Sequence, residues 1–387
     1  MINEPLWGAM TFVASWRPAT RILTAMLMAL ALLSSCSREP IVDYVNPALM
    51  QQIRPSVTGP QIASVVLERT REMKLTTDGG QTWQTIPPTA VADLFECVTM
   101  LDGRRGWAIN HQGQVFRTDS GGATWTRISE LHEFTCSNQI EFVNEKEGWI
   151  RECLSLWRTR DGGVTWQKML STVTPGVAGQ PTGMFLIEAN TVVVSGSGGQ
   201  VYLTKDAGET WKIQALFAGN GVDYDDVWFV DSKHGWITGK QVLVAGESLR
   251  PLLFETIDGG ESWKQLSVNH DILPSSVCFV DREGWLAGSQ RIVTGDSVRL
   301  EGMLLHTTDG GNSWEPVQLG PSEPFLTEVR FADKEHGWVV GRDTLFRTED
   351  SGKTWKRVLS LPNKRTLVHL GLGPQDATRA KPSCEFT

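Results

Sequence analysis

Short apolar runs broken by polar turns recur along the chain and predict strands rather than helices. The clearest stretch is FVDSKHGWITG, residues 229 to 239, in which an apolar strand runs into a polar turn and Gly-Trp opens the next strand. The same order is found at Gly106-Trp107, Gly148-Trp149, Gly235-Trp236, Gly284-Trp285 and Gly337-Trp338. One repeat replaces it with FLIEANTVVVSG, and the first repeat has no upstream copy. A further strand, with an aromatic or leucine at Phe116, Trp157, Tyr202, Phe254, Leu305 and Phe346, ends two residues later at a threonine. These six side chains are expected in the core.

Each such threonine opens the pattern Thr-x-Asp-x-Gly-x-Thr/Ser-Trp, which closes at Trp83, Trp125, Trp166, Trp211, Trp263, Trp314 and Trp355. Successive tryptophans are 42, 41, 45, 52, 51 and 41 residues apart, the length of a four-stranded propeller blade. The third position is Asp78, Asp161, Asp206, Asp258, Asp309 and Asp350, and only the second copy differs, with Ser120. This is the Asp box, or bacterial neuraminidase repeat. Its carboxylate can accept backbone N–H bonds across a hairpin turn, and its glycine supplies a φ that other residues resist. The closing tryptophans are expected between sheets, where each ring can bury about 150–250 Å². The reading is therefore all-β: a seven-bladed β-propeller of four-stranded antiparallel blades. Because the first blade lacks its own inner strand, residues 365–371 are expected to return and complete it, closing the ring.

That strand order sends the Gly-Trp turns and the Asp-box turns to one rim, and the remaining loops to the other. Uniform turns are scaffold, whereas variable loops on a rigid frame carry function. On the variable side, the interval from Gly-Trp to box tryptophan grows from 17 or 18 residues to 27 and 29 in blades five and six. The insertions, around residues 240–251 and 289–302, look like lengthened hairpins. The loop leading into blade five carries Asp223, Tyr224, Asp225 and Asp226. With Arg250, Arg291 and Arg299 these form the candidate partner-binding surface.

Charge and leader refine this picture. The net charge is −8, and loss of residues 1–35, with Arg17 and Arg21 against Glu4, makes it one unit more negative. Nucleic acid is a poor partner for such a chain. Arg17 and Arg21 precede an apolar run from Ile22 to Leu33 that is too short to span a bilayer. Leu33-Ser34-Ser35-Cys36 follows, resembling a lipobox with Cys36 as the lipidated residue. The domain plan is a signal peptide over 1–36, a linker over 37–60, the propeller over 61–371 and a flexible tail over 372–387. Five cysteines remain after export, so at least one stays unpaired. Cys97 and Cys278 read as core thiols, and Cys136 can bridge to Cys97 or Cys153. No CxxC occurs and the histidines are scattered, so no metal is expected.

Asp boxes are best known from sialidases, which need an arginine cluster, a tyrosine nucleophile and an aspartic acid/base. Of Tyr44, Tyr202 and Tyr224, only Tyr224 is a plausible nucleophile, and no Arg-Ile-Pro motif appears. There is no GxSxG elbow, P-loop or EF-hand spacing, so neither catalysis nor a cofactor is expected. The alternation of HGWxxG strands with TxDGGxTW turns, behind a lipoprotein-like leader, resembles the photosystem II assembly/stability factor family over residues 61 to 371. The resemblance implies an extracytoplasmic, membrane-anchored assembly factor that binds a protein partner, such as a membrane-protein client. It also implies an arginine-rich binding patch, which no set of positions in this acidic chain matches residue by residue. A monomer is expected. The alternative is a carbohydrate-active propeller, a sialidase-like glycosidase or a lectin.

Overall fold

The computed structural model describes residues 63–67, 73–86, 95–132, 137–171, 179–217, 221–244, 248–294, 297–320, 323, 325–360 and 367–371. The chain divides into two units, residues 1–44 with 295–297, and residues 45–294 with 298–387. The second unit is the one described below. The expected leader, Cys36, the linker and the C-terminal tail lie outside the described residues.

The strands open with β1 (Ala63–Leu67), β2 (Met73–Thr76) and β3 (Gln84–Ile86). Next come β4 (Phe95–Met100), β5 (Gly106–Asn110), β6 (Gln114–Thr118) and β7 (Thr126–Glu130), then β8 (Ser137–Phe142), β9 (Gly148–Glu152), β10 (Ser155–Thr159) and β11 (Gln167–Ser171). The fourth group is β12 (Pro181–Glu188), β13 (Thr191–Gly196), β14 (Gln200–Thr204) and β15 (Lys212–Ala215). The fifth is β16 (Val222–Phe229), β17 (Gly235–Val244), β18 (Ser248–Thr256) and β19 (Lys264–Leu266). The sixth is β20 (Leu273–Val280), β21 (Glu283–Thr294), β22 (Ser297–Thr307) and β23 (Glu315–Val317). Last come β24 (Leu326–Phe331), β25 (Gly337–Gly341), β26 (Thr344–Thr348), β27 (Lys356–Ser360) and β28 (Leu367–Gly371).

From β4 to β27, every four consecutive strands make one meandering sheet. A further sheet has the order β28-β1-β2-β3, so the C-terminal strand supplies what the first repeat lacks. There β28 runs antiparallel to β1, with Ser64 opposite Gly371 and Val66 opposite His369. The first strands of successive sheets pack on one another, β4 on β8, β12 on β16, β16 on β20, β20 on β24 and β28 on β4. The result is an all-β propeller of four-stranded antiparallel blades. Contacts also join the last and first repeats: the Arg347 guanidinium donates to the Gly79 carbonyl at 2.6 Å, and the Trp83 indole donates to the Val358 carbonyl at 3.2 Å.

Packing between blades buries the Gly-Trp residues more deeply than most of the closing tryptophans that were expected between sheets. The Gly-Trp residues, Trp107, Trp149, Trp236, Trp285 and Trp338, are at most 1% exposed. Of the closing box tryptophans only Trp125 and Trp314 are buried, and Trp83, Trp166, Trp211, Trp263 and Trp355 are half-buried. The reason is the stacking order. Trp107, Trp236 and Trp285 lie flat on Phe142, Phe279 and Phe331 of the next blade, with ring centres 3.6–3.8 Å apart. The box rings Trp166, Trp314 and Trp355 meet those phenylalanines edge-on at 5.9–6.1 Å and lie outside the stack. A cation or imidazole of the same blade completes the layer: Arg117 on Trp107, Arg158 on Trp149, Arg347 on Trp338, and His234 on Trp236. The six strand positions expected in the core, from Phe116 to Phe346, are all buried.

Candidate docking surface

The box turns are built by one hydrogen-bond scheme. In the first, the Thr76 hydroxyl donates to Asp78 at 2.8 Å and accepts the Gly80 N–H at 2.7 Å, while Asp78 accepts the Thr82 N–H at 2.9 Å and the Thr82 hydroxyl. The boxes of Asp161, Asp206, Asp258, Asp309 and Asp350 repeat it. Ser120 keeps the geometry without charge, its hydroxyl accepting the Thr124 N–H at 2.9 Å. The fourth box position also sits at positive φ, which is why Ala207 and Ser351 are left-handed at 63° where the other boxes have glycine. Its N–H donates to the Gly-Trp turn of the same blade, as Gly121 does to the Arg104 carbonyl at 2.7 Å and Ser351 to that of Glu335 at 3.0 Å. Hydroxyl and backbone donors hold Asp78, Asp206 and Asp258 down at about 2, the Thr82, Thr210 and Ser262 hydroxyls leading. Every box carboxylate is thus spent on its own turn. Two clefts, of about 440 and 370 Å³, open at equivalent seams of this rim, one beside Arg347 and Asp350, the other beside Arg117 and Ser120.

The acidic segment leading into blade five is a strand, not a loop. β16 begins at Val222, and its first residues, Val222 to Asp226, alternate between buried and partly exposed. Tyr224 is consequently buried, packed edge-on against Phe254, and burial pushes its phenol far up. It belongs neither to an exposed rim nor to a nucleophile. Asp226 is also removed from the surface: it is 1% exposed and accepts from Arg330 and from Ser276, on the inner strands of the next two blades, at 3.2 and 3.0 Å. Arg330 lies over Trp228 as well. This buried relay was absent from the sequence reading because its members are 50 and 104 residues away from Asp226. Asp225 is pushed up by burial, against the pull of Lys240 at 2.7 Å. Asp223 accepts the Gly198 N–H at 3.1 Å, tying blade four to blade five. The three acids and the tyrosine are therefore frame, apart from the partly exposed Asp223 and Asp225.

The arginines do reach solvent. Arg250 is exposed on β18 with its guanidinium over Phe217, Arg291 is exposed on β21, and Arg299 is exposed on β22 beside Glu301. The lengthened hairpins are real: β17 and β18 pair from Gly235↔Thr256 out to Val244↔Ser248, past the end of β16 at Val222↔Gln241. β21 and β22 are 12 and 11 residues long. Near their ends stand two apolar side chains that the reading of the sequence passed over, Leu243 at 49% exposure and Val293 at 63%. Strand alternation in KQVLV and QRIVT was the signal that could have found them. Among the described residues no group of three His, Cys, Asp or Glu side chains is placed to hold a metal, and no helix is long and apolar enough to cross a membrane.

The family model of the photosynthesis system II assembly factor YCF48 matches residues 81–223 and 219–325. The chain belongs to that family. Within it, the photosystem II assembly lipoprotein Ycf48 of Synechococcus sp. (strain CC9902) is 31% identical over 309 residues, covering 71% of this chain and 90% of the relative. The chloroplastic photosystem II stability/assembly factor HCF136 of Cyanidioschyzon merolae (strain NIES-3377 / 10D) is 22% identical over 342 residues, 84% of this chain and 75% of that protein. A solved structure described as YCF48 bound to D1 peptide superposes with a TM-score of 0.57 at 17% identity, over 78% of this chain and 90% of that one. At that identity the likeness speaks for the fold. Among the cysteines of this YCF48 family member, Cys97 and Cys278 are buried and in no disulfide, and Cys153 is disulfide-bonded. The bridge to Cys97 is thereby removed from the alternatives, while Cys136 lies outside the described residues.

Proposed function

We propose that this chain is an extracytoplasmic assembly factor, anchored by a lipid on Cys36, whose seven blades close into a ring and whose variable rim holds a protein partner. The D1 peptide named for its structural relative is the first ligand to test. The single observation that carries the reading is the contrast between rims in a YCF48 family member. Every box carboxylate is consumed by its own turn, whereas exposed arginines and apolar groups gather on two hairpins that the repeat does not require. Arg250, Arg291 and Arg299 form the docking set, with Leu243 and Val293 added; the box residues are scaffold. The protein works as a monomer and as a binder, since the buried Tyr224 leaves a sialidase-like reaction without its nucleophile. Crosslinking the protein to D1 peptide, followed by peptide mapping, tests this. Crosslinks on residues 240–251 or 289–302 are the expected result, and crosslinks confined to the box turns would overturn it.

A further inference from the structure

The two long hairpins differ in what their outer edges offer. β19 pairs with β18 only at Leu253, Phe254 and Glu255, and β23 with β22 only at Leu304, Leu305 and His306. Beyond those points each hairpin carries a strand edge with no outer neighbour among the sheets of the described residues. Such an edge is a template for another strand unless something blunts it. On β18 the edge contains Pro251, which has no N–H to give. On β22 the stretch Ser297–Val298–Arg299–Leu300–Glu301 has no proline.

The direction of the β22 groups follows from one bond. Gly302 donates its N–H outward, to the Glu323 carbonyl at 2.5 Å. Backbone groups along a strand alternate with period two, so the N–H groups of Leu300 and Val298 point to the same outer side. Neither has a backbone partner there among the described residues. The Glu323 carbonyl therefore occupies the first rung of a ladder whose next two rungs have no backbone partner among the described residues. Beside them Arg299 is 60% exposed, on a chain whose net charge is −8.

We propose that the outer edge of β22, from Val298 to Leu300, is a docking strand that takes an extended segment of a partner polypeptide as an added fifth strand of blade six. Main-chain bonds to the Leu300 and Val298 N–H groups supply the affinity, and Arg299 favours a segment with a carboxylate beside it. The inference rests on the reading of the protein as a partner-binding assembly factor and specifies how the partner is held. A second copy of this chain would satisfy the same edge, but the local cation on an acidic molecule favours a foreign, acidic segment.

The test uses the full chain and a synthetic D1 peptide. Hydrogen exchange on the wild-type protein is expected to slow at the Leu300 and Val298 amides by tenfold or more on peptide addition, with Leu249 on the β18 edge unchanged. Leu300→Pro removes an outward donor without touching a bond inside the hairpin, and is expected to weaken peptide binding at least tenfold while the melting temperature holds. Unchanged exchange at both amides together with undiminished binding by Leu300→Pro would overturn the docking strand and leave the assembly-factor reading standing. No binding by the wild-type chain overturns both. Sedimentation of the unliganded protein as a dimer that Leu300→Pro dissolves would assign the edge to self-association and also overturn the proposal.

Discussion

On the box rim, the N–H to carboxylate bond that closes each aspartate turn measures between 2.8 and 3.0 Å in six repeats. Across the sheets, the β17–β18 and β21–β22 hairpins share little beyond length: one edge has Pro251 and an arginine lying on Phe217, the other has Arg299 and N–H groups without a backbone partner among the described residues. The difference teaches where this chain is constrained. A repeated turn must satisfy its own polar groups in every copy, so its residues are interchangeable and committed. A hairpin that outruns its sheet has no such duty, and its residues are available to something outside.

The sharpest way to break the scaffold half of that contrast is through the stacks beneath the box rim. Trp236 is 0% exposed and lies 3.7 Å from Phe279 of the next blade, so Trp236→Ala should cost about 3–5 kcal/mol. Urea unfolding measures this, and a loss below about 1 kcal/mol would mean that the blades are held by something else. Arg330→Ala should cost a similar 3–5 kcal/mol by leaving Asp226 buried without its cation. Asp226→Leu with Arg330→Met should recover part of that loss, because it removes the Asp226 charge, although Glu328, 3.2 Å from Arg330, keeps its own. If the double variant is as unstable as the single one, the relay is a packing feature rather than an electrostatic one.

A smaller effect is expected at the third blade's disulfide. β8 and β9 pair up to Ser137↔Glu152, the residues next in sequence to Cys136 and Cys153. Non-reducing peptide mapping should find Cys153 joined to Cys136, and reduction should cost about 2–3 kcal/mol for so short a loop. Cys278, whose thiol burial pushes up to about 12, should resist alkylation until the chain unfolds. A Cys153–Cys384 peptide would refute the pairing.

The boxes themselves give a pH signature. Asp78, Asp206 and Asp258 are held at about 2 against an ordinary 3.8, and a depressed carboxylate stabilises the fold above its unfolded value. That contribution is full above about pH 4 and is lost as pH falls toward 2. Ser120 has no carboxylate to lose. Ser120→Asp should therefore add stability at pH 7 that disappears between pH 4 and 2, while Asp161→Ala should cost about 1 kcal/mol at neutral pH, solvent screening keeping it modest. Identical acid profiles for wild type and Ser120→Asp would show that the second turn does not use the charge.

Much of the scaffold was legible because each of its rules acts within a few residues. Thr76 and Asp78 touch each other, and a hydroxyl two residues from a carboxylate is visible in the string. The pairing of β28 with β1 was legible for another reason, the missing first strand of the first repeat. What escaped was set across blades. Nothing adjacent to Asp226 announces Arg330, so the acidic run read as a loop and Tyr224 as exposed, although the alternation Val222, Tyr224, Asp226 carried the strand signal. The box tryptophans were likewise expected between sheets, but the phenylalanine that each of Trp166, Trp314 and Trp355 meets edge-on already carries on its face a Gly-Trp ring from the preceding blade.

The smallest expected change in stability is also the most informative about function. The Val242 N–H still donates to the Gly221 carbonyl at 2.8 Å; beyond it, among the described residues, the β17–β18 hairpin pairs with itself alone, and Leu243 stands half exposed near its end. Replacing residues 243–248 by a two-residue Asn-Gly turn keeps that bond and the Val242↔Leu249 pair, and it uses a loop type that closes two-stranded hairpins readily. Unfolding free energy should shift by no more than about 0.5 kcal/mol. The same shortening of residues 291–300 removes the Val298 and Leu300 donors and the exposed Arg291 and Arg299 together, and should be equally silent in unfolding. The pair of truncations then separates the two hairpins. If partner binding falls with the blade-six truncation and survives the blade-five one, the open edge and not mere length decides docking. If both truncations bind as wild type does, the partner sits on the repeated rim, and the inequality between the two sides of the molecule is ornament.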